Sequence, residues 1–139
     1  MTSREYLQQA YRLDQRIDSK IEQLSSLRAL ATRATSTLSD VPPSGTRNVN
    51  RMEDVILKME MLEDEIRSDL EELVDLKHEL ITVIKQVDHT ECRILLELRY
   101  LCFKTWEQIA VEMDCCIDNV YKLHRKALRM VRVPERGQG

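Results

Sequence analysis

Glycine and aromatic residues are scarce in this chain, with three Gly among 139 residues, one Trp, one Phe and 4% aromatics overall. The shortage of glycine leaves no phosphate-cradling loop of the G-x-x-x-x-G-K type, where a Cβ would keep the backbone from its anion. There is no His-Glu-x-x-His pair, and no Ser or Cys nucleophile stands beside a His in a recognisable motif, so the chain reads as no enzyme. No stretch approaches the ~20 apolar residues of a membrane helix. The N-terminal MTSREYLQQ is polar, which predicts neither a signal peptide nor a lipid anchor and places the protein in the cytoplasm, away from membranes. The four cysteines, Cys92, Cys102, Cys115 and Cys116, form no C-x-x-C. His78, His89 and His124 lack zinc-finger spacing, so no metal and no cofactor are expected. In a reducing cytosol these thiols read as small core or cap residues.

What is present is 42% hydrophobic and 32% charged residues, rich in helix formers, which predicts an all-α fold. Tyr6, Ala10, Leu13, Ile17, Ile21, Leu24, Leu27, Ala31, Ala34 and Leu38 recur at steps of three and four, marking one face of a long helix. Val55, Met59, Leu62, Ile66, Leu70, Leu73, Leu76, Leu80, Ile84 and Val87 repeat the rhythm in a second. Between them SDVPPSGTRN, with two prolines and a glycine, predicts a connecting loop. Two arms of similar length imply a long antiparallel helical hairpin, a coiled coil with arms of roughly 50 Å at about 1.5 Å per residue. Leu7, Leu30, Ile56, Leu57, Val74, Ile81 and Val83 lie beside the main stripes, and a second chain is the expected cover, making a homodimer.

Charge divides the chain. Residues 51–90 hold five Lys or Arg against twelve Asp or Glu, whereas residues 1–50 hold seven against five and residues 91–139 nine against seven. The acidic arm reads as the solvated face of a coiled coil. Phosphate repulsion along it would confine any DNA contact to the C-terminal third.

That third has the spacing of a helix-turn-helix. Thr105 can cap a helix, with Gln108 three residues on completing a capping box. The helix runs to about Met113, with Ile109 and Met113 on one face and Ala110 leaving room for a steeply crossing neighbour. Asp114 and Cys115 follow where such motifs carry a glycine, and Asp can visit the left-handed conformation a tight turn needs. A second helix begins near Cys116 or Ile117, with Val120, Leu123, Ala127, Leu128 and Val131 inward. Asp118, Asn119, Lys122, Arg125, Lys126 and Arg129 line its opposite face, donors and cations suited to phosphates and base edges in a major groove. From Cys116 onward there are six Lys or Arg against two Asp or Glu. Upstream, TECRILLELRYL, residues 90–101, supplies a third helix capped at Thr90, with Ile94, Leu95, Leu98 and Leu101 as its stripe. Leu95, Leu98, Ile109, Val120 and Leu123 are the expected core, with Phe103 and Trp106 at its edge. His89 precedes the cap, and His124 is expected on the outer surface as a phosphate contact or a solvated imidazole.

LELRYLCFKTWEQIAVEMDCCIDNVYKLHRKAL, Leu96 to Leu128, resembles region 4 of sigma-70-type factors and related small phage transcriptional regulators of Gram-positive hosts. Leu98, Arg99 and Tyr100 carry the likeness, as do Thr105, Trp106, Ile109, Ala110, Val120, Tyr121, Lys126, Ala127 and Leu128. The resemblance implies a recognition helix that reads promoter bases from its first two turns, here Asp118, Asn119 and Lys122, with Arg125 nearer the backbone. This chain departs from the pattern at Asp114, where that family usually has Gly, and at Cys116, where it has a capping Ser or Thr. The base-reading positions also differ from those of housekeeping sigma factors, so their promoter sequence does not carry over.

The expected organisation is a helical hairpin over residues 1–88 for oligomerisation or partner docking, a helix-turn-helix DNA-binding domain over 89–133, and a disordered tail over 134–139. The expected function is sequence-specific binding of double-stranded promoter DNA in transcription regulation, with RNA polymerase as a second contact and a phage or prophage origin. Two alternatives stand beside it. Small terminase subunits also join a helix-turn-helix to an oligomerising helical hairpin, although there the helix-turn-helix comes first. A polymerase-binding or anti-sigma-like coiled-coil adaptor would need no DNA contact, and a net charge of −3 suits it.

Overall fold

The computed structural model describes residues 1–40 and 46–135. Among these every regular element is helical: α1 (Ser3–Asp40), α2 (Thr46–Lys85), α3 (Thr90–Leu96) continued by a π-helical turn (Glu97–Leu101), α4 (Trp106–Glu112) and α5 (Ile117–Met130). The all-α expectation holds. The expected connecting loop is shorter than its sequence: Ser39 and Asp40 end α1, Thr46 to Asn48 begin α2, and residues 41–45 lie outside the described residues. Of the expected tail, Pro134 and Glu135 are non-helical and residues 136–139 lie outside the described residues.

The chain forms two compact units, one of Met1–Leu13 with Leu73–Gly139 and the other of Asp14–Glu72. A sequence boundary at residue 88 therefore does not coincide with the structural division, because Tyr6, Leu7 and Ala10 from the start of α1 and Leu80, Val83 and Ile84 from the end of α2 are buried in the same unit as the C-terminal helices. Leu7 and Val83 lie off the main stripes and need no second chain to cover them there. Tyr6 reaches across to Glu79, its hydroxyl donating to Oε1 at 2.7 Å. Leu95, Ile109 and Val120 sit in this core as expected, joined by Cys92, Leu96 and Tyr100, whereas Leu98 and Leu123 are half-buried and Ile94 is exposed.

In the Asp14–Glu72 unit the charge asymmetry of the sequence becomes cross-helix pairing. Lys20 donates to Asp69 at 2.7 Å and Arg16 lies 3.5 Å from the same carboxylate, while Arg28 meets Glu63 at 3.3 Å. Partners fall in number on α2 as they rise on α1, so the two segments run antiparallel. The Lys20 ammonium beside Asp69 holds that buried carboxyl below its ordinary range, with Arg16 assisting. The more exposed Arg28 pair contributes little. Ile17 and Leu24 are buried, but Ile21 and Leu70, both in the expected stripes, remain 48% and 45% exposed, as Leu57 and Met61 do at 56% and 63%. Two helices enclose only one narrow seam.

Candidate nucleic-acid interface

The motif is built from its caps inward. His89 caps α3, its Nδ1 accepting from the Cys92 N–H at 3.2 Å; Thr105 caps α4 through a complete capping box in which Oγ1 accepts from Gln108 N–H and Gln108 Oε1 accepts from Thr105 N–H. The cap expected at Thr90 thus belongs to His89, an imidazole taking the role usually played by a short oxygen side chain. Glu97 to Leu101 widens into a π turn closed by Cys102 N–H donating to the Glu97 carbonyl at 3.0 Å. The chain then reverses through Phe103, whose φ is 57°. A left-handed Phe is costly. The edge-on contact with Tyr11 at 5.7 Å and the Lys77 ammonium 4.5 Å above its ring offset that strain.

Asp114 makes the turn between α4 and α5 with φ 53°, the left-handed conformation expected of it. Cys116 then stands as the N-cap of α5, and its side chain makes no cap hydrogen bond. On α5, Val120, His124 and Ala127 are buried, and Asp118, Asn119, Lys122, Arg125, Lys126 and Arg129 are all exposed. At about 100° per residue these six occupy roughly a third of the helix circumference, opposite the buried three. Among the described residues none of Lys122, Arg125 and Arg129 is in an ion pair. Lys126 Nζ lies 3.3 Å from His89 Nε2. Whether Nε2 accepts from the ammonium is set by the imidazole tautomer.

His124 corrects the expectation of a surface imidazole. It is 7% exposed, bonded through Nε2 to the Tyr100 hydroxyl at 2.6 Å and crossed edge-on by Trp106 at 4.6 Å. Burial pushes its pKa down to about 4, with the Arg4, Arg99 and Arg125 charges adding to the shift, and burial likewise raises that of Tyr100. The signal was available: position 124 follows Val120 by four and precedes Ala127 by three, which places it on the apolar face.

A groove of about 680 Å³ runs beside α5, with Asn119, Lys122 and Lys126 along one wall and Glu91, Glu112 and Asp114 on the others. Its acidic wall disfavours an anion laid along it, and Arg125 and Arg129 lie outside its lining. Lys104 pairs with Glu112 and removes one acidic charge from the rim. Among the described residues no group of three His, Cys, Asp or Glu side chains is placed to hold a metal, and no helix is long and apolar enough to cross a membrane. Cys92 is buried, Cys115 half-buried, and Cys102 and Cys116 are exposed, all as free thiols.

A family model described as Protein of unknown function (DUF1492) matches residues 34–132. No curated protein and no solved structure matches the chain.

Proposed function

We propose that this chain, which belongs to the DUF1492 family of unknown function, is a sequence-specific DNA-binding regulator of transcription, of the kind its resemblance to sigma-70 region 4 implies. The observation that carries the reading is the division of α5, with Val120, His124 and Ala127 buried and six donors and charged side chains exposed together on the other side. A short helix fixed by a capping box, a left-handed turn at Asp114 and a longer helix with a cationic face suit a recognition helix seated in a major groove. In this reading Asp118, Asn119 and Lys122 select bases, and Arg125, Lys126 and Arg129 hold phosphates with help from Lys122.

The protein acts in the cytoplasm, is of phage or prophage origin, and works as a homodimer joined by its long helices. The exposed Ile21, Leu30, Ile56, Leu57, Met61 and Leu70 of the Asp14–Glu72 unit support a partner there. RNA polymerase is the second contact. One observation favours a different reading: the carboxylates of Glu91 and Asp114 beside the groove along α5 suit a polymerase-binding adaptor that touches no DNA. Selection from a randomised duplex pool separates the two. Enrichment of one site supports the regulator, and half-sites about one helical turn apart add the dimer. A folded protein that enriches nothing supports the adaptor.

A further inference from the structure

A small cleft of about 60 Å³ opens between the first turns of α1 and the π turn, lined by Arg4, Gln8, Tyr11, Arg99, Tyr100 and Trp106. Its lining is one-sided: two guanidinium groups, an amide and three aromatic rings, with no carboxylate among the six. Arg99 is held rigidly. Its guanidinium lies 4.3 Å over the Trp106 ring and 5.7 Å from that of Tyr11, and one N–H donates to the Lys104 carbonyl at 2.9 Å. That uses one of five donors. Arg4 is exposed and, among the described residues, in no ion pair.

Both arginines, together with Arg125 on α5, impose their charge on the same imidazole of His124. Arg4 and Arg99 thus lie near enough to the buried side of α5 for their charges to reach His124. The start of α1 also meets the end of α5, where Ser3 Oγ donates to the Val131 carbonyl at 3.4 Å. Two guanidinium groups without a counter-charge repel each other, and an anion between them turns that repulsion into charge-assisted hydrogen bonds. Since a water needs about 10–15 Å³, the cleft admits a group of a few heavy atoms and excludes a base or a nucleoside.

We propose that this cleft is an anion site that takes one phosphate of the DNA backbone, with Arg99 as its fixed donor and Arg4 as the arm that closes on it. The choice of DNA as the source of that phosphate rests on the function proposed above. It agrees with Trp106 opening α4, since the first helix of a helix-turn-helix crosses the backbone. It also extends the interface to a residue more than a hundred positions from α5 in the sequence.

Trp106 is the single tryptophan of the chain and lines the cleft, so its fluorescence reports occupancy. Inorganic phosphate is titrated into the full chain against chloride at matched ionic strength, with R4Q and R4E beside the wild type. An enriched duplex and its scramble are then titrated at several salt concentrations. Support is a saturable phosphate response lost in R4Q and R4E, with both variants keeping the wild-type melting curve and binding both duplexes more weakly. The slope of log K against log salt should become shallower by about 1 in R4Q. A phosphate response with unchanged duplex binding in R4Q overturns DNA as the source. No saturable response and unchanged duplex binding overturn the site while leaving the proposed function standing. A wild type that binds no duplex removes that function and the DNA source together, and the phosphate titration then decides the anion site by itself.

Discussion

The Tyr100 hydroxyl and His124 Nε2 share a hydrogen bond of 2.6 Å, with their rings stacked at 5.8 Å. This polar pair links the π turn to α5 inside an otherwise apolar core, and each partner satisfies a group that would be costly to bury alone. Tyr100→Phe leaves the imidazole nitrogen unpaired and should cost about 1–3 kcal/mol. Chemical denaturation would measure it. A variant as stable as the wild type would mean that the bond holds nothing together.

His124 also sets an acid limit on the domain. Its pKa falls from an ordinary 6.5 to about 4 on folding, chiefly through burial. Between these values the unfolded chain binds the proton and the folded chain does not, so stability is complete above about pH 6.5 and declines as the pH falls toward 4. At about 1.4 kcal/mol per unit, the loss is roughly 3 kcal/mol. Urea midpoints from pH 7 to pH 4 should fall for the wild type and fall less for His124→Phe. Parallel curves would remove His124 as the cause.

At the head of α5, Cys116 occupies the cap position without a capping hydrogen bond. Cys116→Ser supplies an acceptor for an early backbone N–H and should raise stability by about 0.5–1 kcal/mol. A rise in melting temperature with unchanged helix content by circular dichroism is the expected result. A fall would show that the thiol makes packing contacts worth more than the cap.

The proposed function gives the residues on the outer face of α5 two different roles. Lys122→Ala should cost about 1–3 kcal/mol at the selected site and relax the preference at one base position. Arg129→Ala should instead weaken selected and scrambled duplexes alike and flatten the salt dependence. Two folded variants that bind as the wild type does would place the contact on another surface.

Much of this was legible in the residues. Helical spacing separated the faces of α5, and Thr105 with Gln108 announced the start of α4. A left-handed Asp114 followed from the need for a tight turn. His124 is a titratable residue type on the apolar face, between Val120 and Ala127, so residue type and position point in opposite directions there. The π turn leaves no periodic trace, and a left-handed Phe103 runs against intrinsic preference. The capping role of His89 escaped because imidazole is a rare cap. Arg4 and Arg99 could not be paired from sequence, since only the fold brings the start of α1 beside the π turn.

The most direct test of the α5 interface is fluorescence anisotropy of a labelled duplex, enriched from a random pool, titrated with wild-type protein against a scrambled duplex at two salt concentrations. The expected result is binding at least a thousandfold tighter to the enriched sequence, of the order that separates specific from non-specific recognition, with both affinities falling as salt rises. Equal affinity for the two duplexes, or binding to neither by folded protein, would contradict sequence-specific recognition by this face.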